Sequence, residues 1–334
     1  MDMEDNDNLT RARHLISSSI IWDNHACMPN DENFLPQIER CRDAGFDVVS
    51  LNVGFGTMSL ESHLRMLGNV RRWFGARPDK YVLAASVADI DRARAQGKLA
   101  IVFDIEGMAP LNEGDHGLIQ MFYDLGVRWM LIAYNRNNAA GGGCVDEDTG
   151  LTEHGRAILA EMKRVGMVVC CSHTGHKTAR HVMDHAENPV IFSHSNASAV
   201  HQHYRNIPDD LIKACAATGG VVGVNGIGVF LGKNDDRPVT VFRHIDHMVQ
   251  LVGPEHVGVA LDYVFDQEPL LAAIRAMRGT PQAEPLLADE PLKMVAPEAL
   301  LPIVETMVSH GYSDGAIAGI LGANWRRVAA QVWR

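Results

Sequence analysis

Residues 17–29, SSSIIWDNHACMP, run from an apolar stretch into Asp23, His25 and Cys27. Side chains alternate along a strand, so these three are expected on one face of its C-terminal end. Working outward, similar short runs rich in Val, Ile and Leu recur at SSIIWDNH (18–25), FDVVSLNVG (46–54), LAIVFDIEG (99–107), VRWMLIAYN (127–135), GMVVCCSHTG (166–175), PVIFSHSNA (189–197), GGVVGVNG (219–226) and VGVALDYV (257–264). Each reads as a buried strand, and there are eight of them.

Segments with helical periodicity separate most of these runs: DENFLPQIERCRDAG (31–45), SVADIDRARAQGK (86–98), DHGLIQMFYDLG (115–126) and LTEHGRAILAEMKRVG (151–166). The last opens with Thr152 in the N-cap position. Strands apolar on both faces and alternating with helices imply a parallel sheet covered by helices. Eight such units predict a closed (β/α)8 TIM barrel, and no GxGxxG follows the first strand to suggest a Rossmann sheet. A single barrel domain over 1–334 is expected. A long Pro-rich excursion would follow strand eight (about 266–298), as a lid, a specificity loop or a surface detour, and helices from Ser313 onward would close the chain after a turn at Gly322.

The formal charge of −11 and a pI near 5.8 argue against a nucleic-acid or anionic-membrane partner. The opening MDMEDNDNLTRARHL lacks the basic and apolar regions of a signal peptide, and no apolar run approaches the ~20 residues of a membrane helix. The six cysteines show no CxxC pair. A cytoplasmic protein with reduced thiols, acting on a small molecule, is the expectation.

Metal-binding side chains collect at the C-terminal ends of the strands: Asp23, His25 and Cys27 on the first, Glu106 on the third, His173 on the fifth, His194 on the sixth and Asp262 on the eighth. Barrel strand ends converge on one rim, so residues distant in sequence meet there. One His ending a strand is more often a hydrogen-bonded core or loop residue. Three His and a Glu, each at a strand end, select a metal site, and His with carboxylate suits zinc. His176, His181 and His185 read as a solvated helix face, while His201 and His203 stand as a reserve pair near the rim.

With these residues in place, the chain resembles the membrane dipeptidase (renal dipeptidase) family of zinc peptidases, within the amidohydrolase-like barrels. The matching pieces are WDNHACMP (22–29), DIEG (104–107), CSHTG (171–175), VIFSHSNAS (190–198), YRNIPDDLI (204–212), LDYVFD (261–266) and ILGANWRRV (320–328), in the family's order and over nearly the whole chain.

The resemblance implies that His25 binds a first metal, Glu106 bridges two, and His173 and His194 bind the second. It implies that Arg205 holds a substrate carboxylate, a role suited to a bidentate guanidinium; pairing with Asp209 or Asp210 is the structural alternative. Asp262 would shuttle a proton from metal-bound water to the leaving amine, or else cap a helix or form a salt bridge. A homodimer is also implied.

Two positions depart from the family. Cys27 stands where the family has an aspartate ligand, and Tyr134 where it has a His near the scissile carbonyl. Cys27 is open to two readings, a thiolate ligand or a neutral buried thiol. Two Zn2+ are expected if Cys27 or Asp23 completes the first site, otherwise one. Tyr134 can still donate to an oxyanion. The leading expectation is a dipeptidase acting through metal-bound hydroxide. The alternatives are a mononuclear enzyme of altered chemistry on a modified amino-acid conjugate, and a non-catalytic barrel that binds a carboxylated ligand.

Overall fold

Alternation along the strands explains the architecture. In the computed structural model, which describes residues 3–56, 58–111, 114–276 and 291–334, the strands are β1 (Trp22–Cys27), β2 (Val48–Phe55), β3 (Tyr81–Leu83), β4 (Leu99–Glu106), β5 (Val127–Leu131), β6 (Val168–Cys170), β7 (Val190–Ile191), β8 (Val222–Val224), β9 (Val257–Val259) and β10 (Tyr263–Val264). Val48, Ala100, Val102, Trp129, Leu131, Val168, Cys170 and Ile191 pack together inside the barrel. Their sequence neighbours Val49, Ile101, Phe103, Met130, Ile132, Val169 and Cys171 pack outward against the helices. A strand that must be apolar on both faces has no polar side to show to water, which is why these runs read as continuous.

The strands pair in parallel in the order β10-β1-β2-β4-β5-β6-β7. The turn is completed by β8 and β9, joined to β7 through a Phe192–Val222 bridge. The result is a (β/α)8 barrel. Two details depart from the expected strands. A short strand, β3, lies beside the N-terminal half of β4, below β5. The eighth run is divided: β9 pairs with β8 and β10 pairs with β1, and between them Asp262 takes a left-handed backbone, φ 55°. That break lets one run hold both of its neighbours and close the ring.

The first strand also corrects the expected single face for Asp23, His25 and Cys27. Its register against β2 shifts between Asp23 and Ala26. Trp22 and Asn24 both engage Ser50 inside the barrel, while Asp23 accepts from the backbone N–H of Leu261 at 2.8 Å. A bulge re-aims side chains in this way. His25 and Cys27 consequently reach the rim, and Asp23 stays behind as a brace to the last strand.

Local signals fix the helices. The Thr152 hydroxyl accepts from Gly155 N–H ahead of helix Glu153–Val165, and Ser86 and Asp89 form a capping box ahead of helix Val87–Ala95. Of the excursion expected at 266–298, residues 277–290 lie outside the described residues. Its described start is a helix, Gln267–Ala276, rather than a loop. No helix among the described residues is long and apolar enough to cross a membrane.

Helix Asn324–Val332 closes the N-terminal end of the barrel, placing Trp325, Val328, Ala329 and Val332 against the interior cluster. Trp325 donates its indole N–H to Val259 O at 3.1 Å and lies so close to Gly258 that a Cβ there would sit 2.5 Å from the ring. Gly258→Ala should therefore destabilise the protein by about 1–3 kcal/mol in urea unfolding. A variant as stable as the parent would show that the indole is free to move.

Candidate metal centre and active site

Glu106 ends β4 with its side chain aimed into the mouth of the barrel. Its Oε1 lies 3.3 Å from His173 Nε2, 3.3 Å from His194 Nε2 and 3.5 Å from His25 Nε2. It is buried and has no hydrogen-bond partner. A buried carboxylate oxygen without a donor is costly. Three imidazole nitrogens converging on it are the donor set of a cation site.

The imidazoles are oriented for that purpose. Asn135 Oδ1 accepts from His173 Nδ1 at 2.7 Å, and Ser193 Oγ contacts His194 Nδ1 at 2.8 Å. The two Nε2 atoms approach to 2.9 Å, close enough to share one proton or to ligate one cation between them. Burial, reinforced by the Arg205 and His25 charges, pushes both histidines well below the usual imidazole range, so they stand in the neutral form that ligates metal. Burial also pushes His25 down, but the Glu106 and Asp104 carboxylates outweigh it and hold His25 well above that range.

Beside this group lies a second. Cys27 Sγ is 3.6 Å from His25 Nε2 and 3.9 Å from Asp262 Oδ1, and Asp262 Oδ1 is 3.5 Å from His25 Nε2. The trios His25–Glu106–His194 and His25–Cys27–Asp262 each have the spacing of metal ligands and share His25. Asp23 belongs to neither, its Oδ1 being taken by the Leu261 and His25 amides. Burial pushes the Cys27 thiol up to about 12, against the pull of His25, so without a cation it stays protonated.

Asp262 is placed by its left-handed backbone and by Asn225, which donates to its Oδ2 at 2.8 Å. His173 and Asn135 are also left-handed, each with φ 61°. Non-glycine residues held in that region mark sites where neighbours over-determine the backbone. Tyr134 stacks on His173 with centroids 4.3 Å apart, and burial, with the Glu106 charge, keeps its hydroxyl protonated and able to donate.

Arg205 is buried, with Nε and Nη2 lacking any partner. The expected competitors are engaged elsewhere, Asp210 with Arg180 at 2.7 Å and Asp209 with His247 at 2.8 Å. Its guanidinium lies 5.4 Å from the Phe230 ring. His203 accepts from the Arg205 amide, and burial lowers its pKa to about 4. His201 and His203 join neither metal-type group among the described residues.

Sequence reading missed the residues behind the ligands. Asp104 Oδ2 faces His25 Nδ1 at 3.4 Å and its Oδ1 accepts from Asn52 at 3.0 Å. The signal was available, since Asp104 stands two positions before Glu106 and shares its face. Asn135, Asn225 and Ser193 carry no comparable pattern.

The sequence model of the membrane dipeptidase family, peptidase family M19, matches residues 10–272. The chain belongs to this family. An uncharacterized protein encoded in the pqqA 5′ region of Klebsiella pneumoniae is 31% identical over 75% of this chain and 89% of its own length. An uncharacterized dipeptidase of Schizosaccharomyces pombe is 32% identical over 70% of this chain, which spans only 53% of that protein. The crystal structure of an amidohydrolase from Pseudomonas aeruginosa superposes with a TM-score of 0.85 at 25% identity, covering 96% of this chain and 99% of its own.

Two measurements test the centre. Folding lifts the Glu106 carboxyl from 4.5 to about 8, mainly by burial. The metal-free fold therefore holds that proton more tightly than the unfolded chain, and the penalty for burying the group is absent below about pH 4.5, grows with pH and is complete above about pH 8. Metal-free Glu106→Gln should melt above the metal-free parent at pH 8, the gap narrowing toward pH 5; a gap independent of pH would refute the assignment. Asp104→Asn, which weakens the support behind His25, should lower divalent-metal affinity about 10–100-fold by competition with a chromophoric chelator.

Proposed function

We infer that this metallopeptidase-family chain is a zinc-dependent dipeptidase. The observation that carries the reading is the unpartnered Glu106 oxygen faced by the Nε2 atoms of His25, His173 and His194. His25 and Cys27 would hold one zinc ion and His173 and His194 another, with the Glu106 carboxylate beside both. When bound, zinc supplies a Lewis acid for the peptide carbonyl and a hydroxide nucleophile near neutral pH.

The chain's own residues do the rest. Arg205, with two donor nitrogens buried and unpartnered, binds the carboxylate of the dipeptide's C-terminal residue and fixes its orientation. Tyr134, held by its stack on His173, donates a hydrogen bond from its hydroxyl to the oxygen that gains charge. Asp262, anchored by Asn225, holds a proton at Oδ1 and delivers it to the departing amine. Burial raises its carboxyl above the usual range, which suits a group that must carry a proton before releasing it.

Cys27 replaces a carboxylate with a softer ligand of the same charge once deprotonated. Protein purified without chelator and re-equilibrated with zinc should contain two metals per chain, falling to one in Cys27→Ala. One metal in both would place Cys27 outside the coordination shell and favour a mononuclear enzyme of altered chemistry.

Catalytic roles are separable. Asp262→Asn should lower kcat on L,L or L,D dipeptides by about 10²–10⁴-fold with zinc still bound. Arg205→Met should raise KM for dipeptides by roughly 10–100-fold but leave dipeptide amides, which lack the carboxylate, unaffected. A protein that binds zinc yet turns over no dipeptide would overturn the reading.

A further inference from the structure

Phe55 ends β2 with 49% of its surface open to water. Among the described residues, it and Val239 are the large apolar side chains left exposed. Single exposed apolar residues are ordinary on protein surfaces, but the surroundings of Phe55 are not. It sits opposite Glu106 in the β2–β4 ladder, and the next amide, Gly56 N–H, donates to Glu106 O at 3.0 Å. Its ring lies 5.8 Å from that of Tyr134, which stacks on His173. A row of three rings thus leads from water to the metal centre.

The row is rigid. Tyr134 is fenced by Gly56 and Gly107, at φ +55° and +118°, and at each a Cβ would come within 3.3 Å of the Tyr134 side chain. Only glycine meets both demands without strain. Gly56 also turns the chain directly after Phe55, which projects the ring at the rim rather than into the outer core. A preorganised aromatic surface binds an apolar side chain with little loss of freedom.

Barrel order gives the direction. Counting around the ring as β1, β2, β4, β5, β6, β7, β8 and β9/β10, Phe55 ends the second strand and Arg205 lies on the loop after the sixth. The two are half a circuit apart, across the mouth, with Glu106 and the histidines between. A dipeptide whose carboxylate is held by Arg205 and whose carbonyl lies at the metal centre directs its amino-terminal residue toward β2. We propose that Phe55, backed by Tyr134, is the specificity-determining residue for that end of the substrate and selects an apolar, above all aromatic, amino-terminal side chain. The inference rests on the dipeptidase reading and adds to it the class of dipeptide.

The test compares kcat/KM for Phe-Ala, Leu-Ala and Ala-Ala in the zinc-loaded parent, Phe55→Ala, Phe55→Leu and, as a control at the other exposed apolar side chain, Val239→Ala. The parent should prefer Phe-Ala. Phe55→Ala should lower the Phe-Ala to Ala-Ala ratio about 3- to 10-fold, mainly through KM and at unchanged zinc content, while Phe55→Leu retains the preference for Leu-Ala and Val239→Ala retains the full ratio. Dipeptide turnover with no preference in the parent, or with a ratio unmoved by Phe55→Ala, overturns the subsite alone. Absence of turnover of every dipeptide by the parent overturns the dipeptidase reading and the subsite with it.

Discussion

A carboxylate oxygen shut away from water, with no hydrogen bond and three imidazole nitrogens within 3.5 Å, is costly to bury. Glu106 holds such an oxygen, and the rest of the mouth is organised around it. Asn135 and Ser193 hold His173 and His194 with Nε2 facing inward, and Asp104 stands behind His25. The unpartnered Glu106 oxygen costs free energy in the metal-free fold, and a bound cation would offset that cost. The barrel supplies that compensation's other half, a hydrophobic interior and helix shell rigid enough to hold like-tempered groups together.

The barrel was legible because burial on both faces leaves strands as unbroken apolar runs, and the candidate site because polar residues at the ends of such runs have few structural reasons to be there. His25, Glu106, His173, His194 and Asp262 were all visible in this way. What stayed hidden depends on backbone irregularity. The shift between Asp23 and Ala26 separates residues that simple alternation places together, and the left-handed turn at Asp262 divides one apparent strand into two. Neither irregularity involves a Gly or Pro that would flag it. β3 is only three residues long, too short for its period to register. The helix at Gln267–Ala276 was obscured by the proline content around it.

Cys27 shows how residue identity and residue environment differ as information. Its sequence position left a ligand and a bystander equally available. The structure places its sulfur against His25 and Asp262, in surroundings that keep the thiol protonated until a cation arrives. As a ligand, soft sulfur beside hard carboxylate would make the two halves of the centre chemically unequal, whereas a pair of carboxylates would make them alike.

The divided last strand has a consequence for how the molecule is made. His25 and Cys27 come from the first strand, and Asp262 from the end of the last, 235 residues beyond Cys27. The seam between those strands is where the ring closes, and closing so long a stretch of chain is the slowest kind of contact to form. During synthesis the N-terminal ligands emerge well before their partner. The seam that sets Asp262 beside His25 and Cys27 consequently forms only once the last strand has been made.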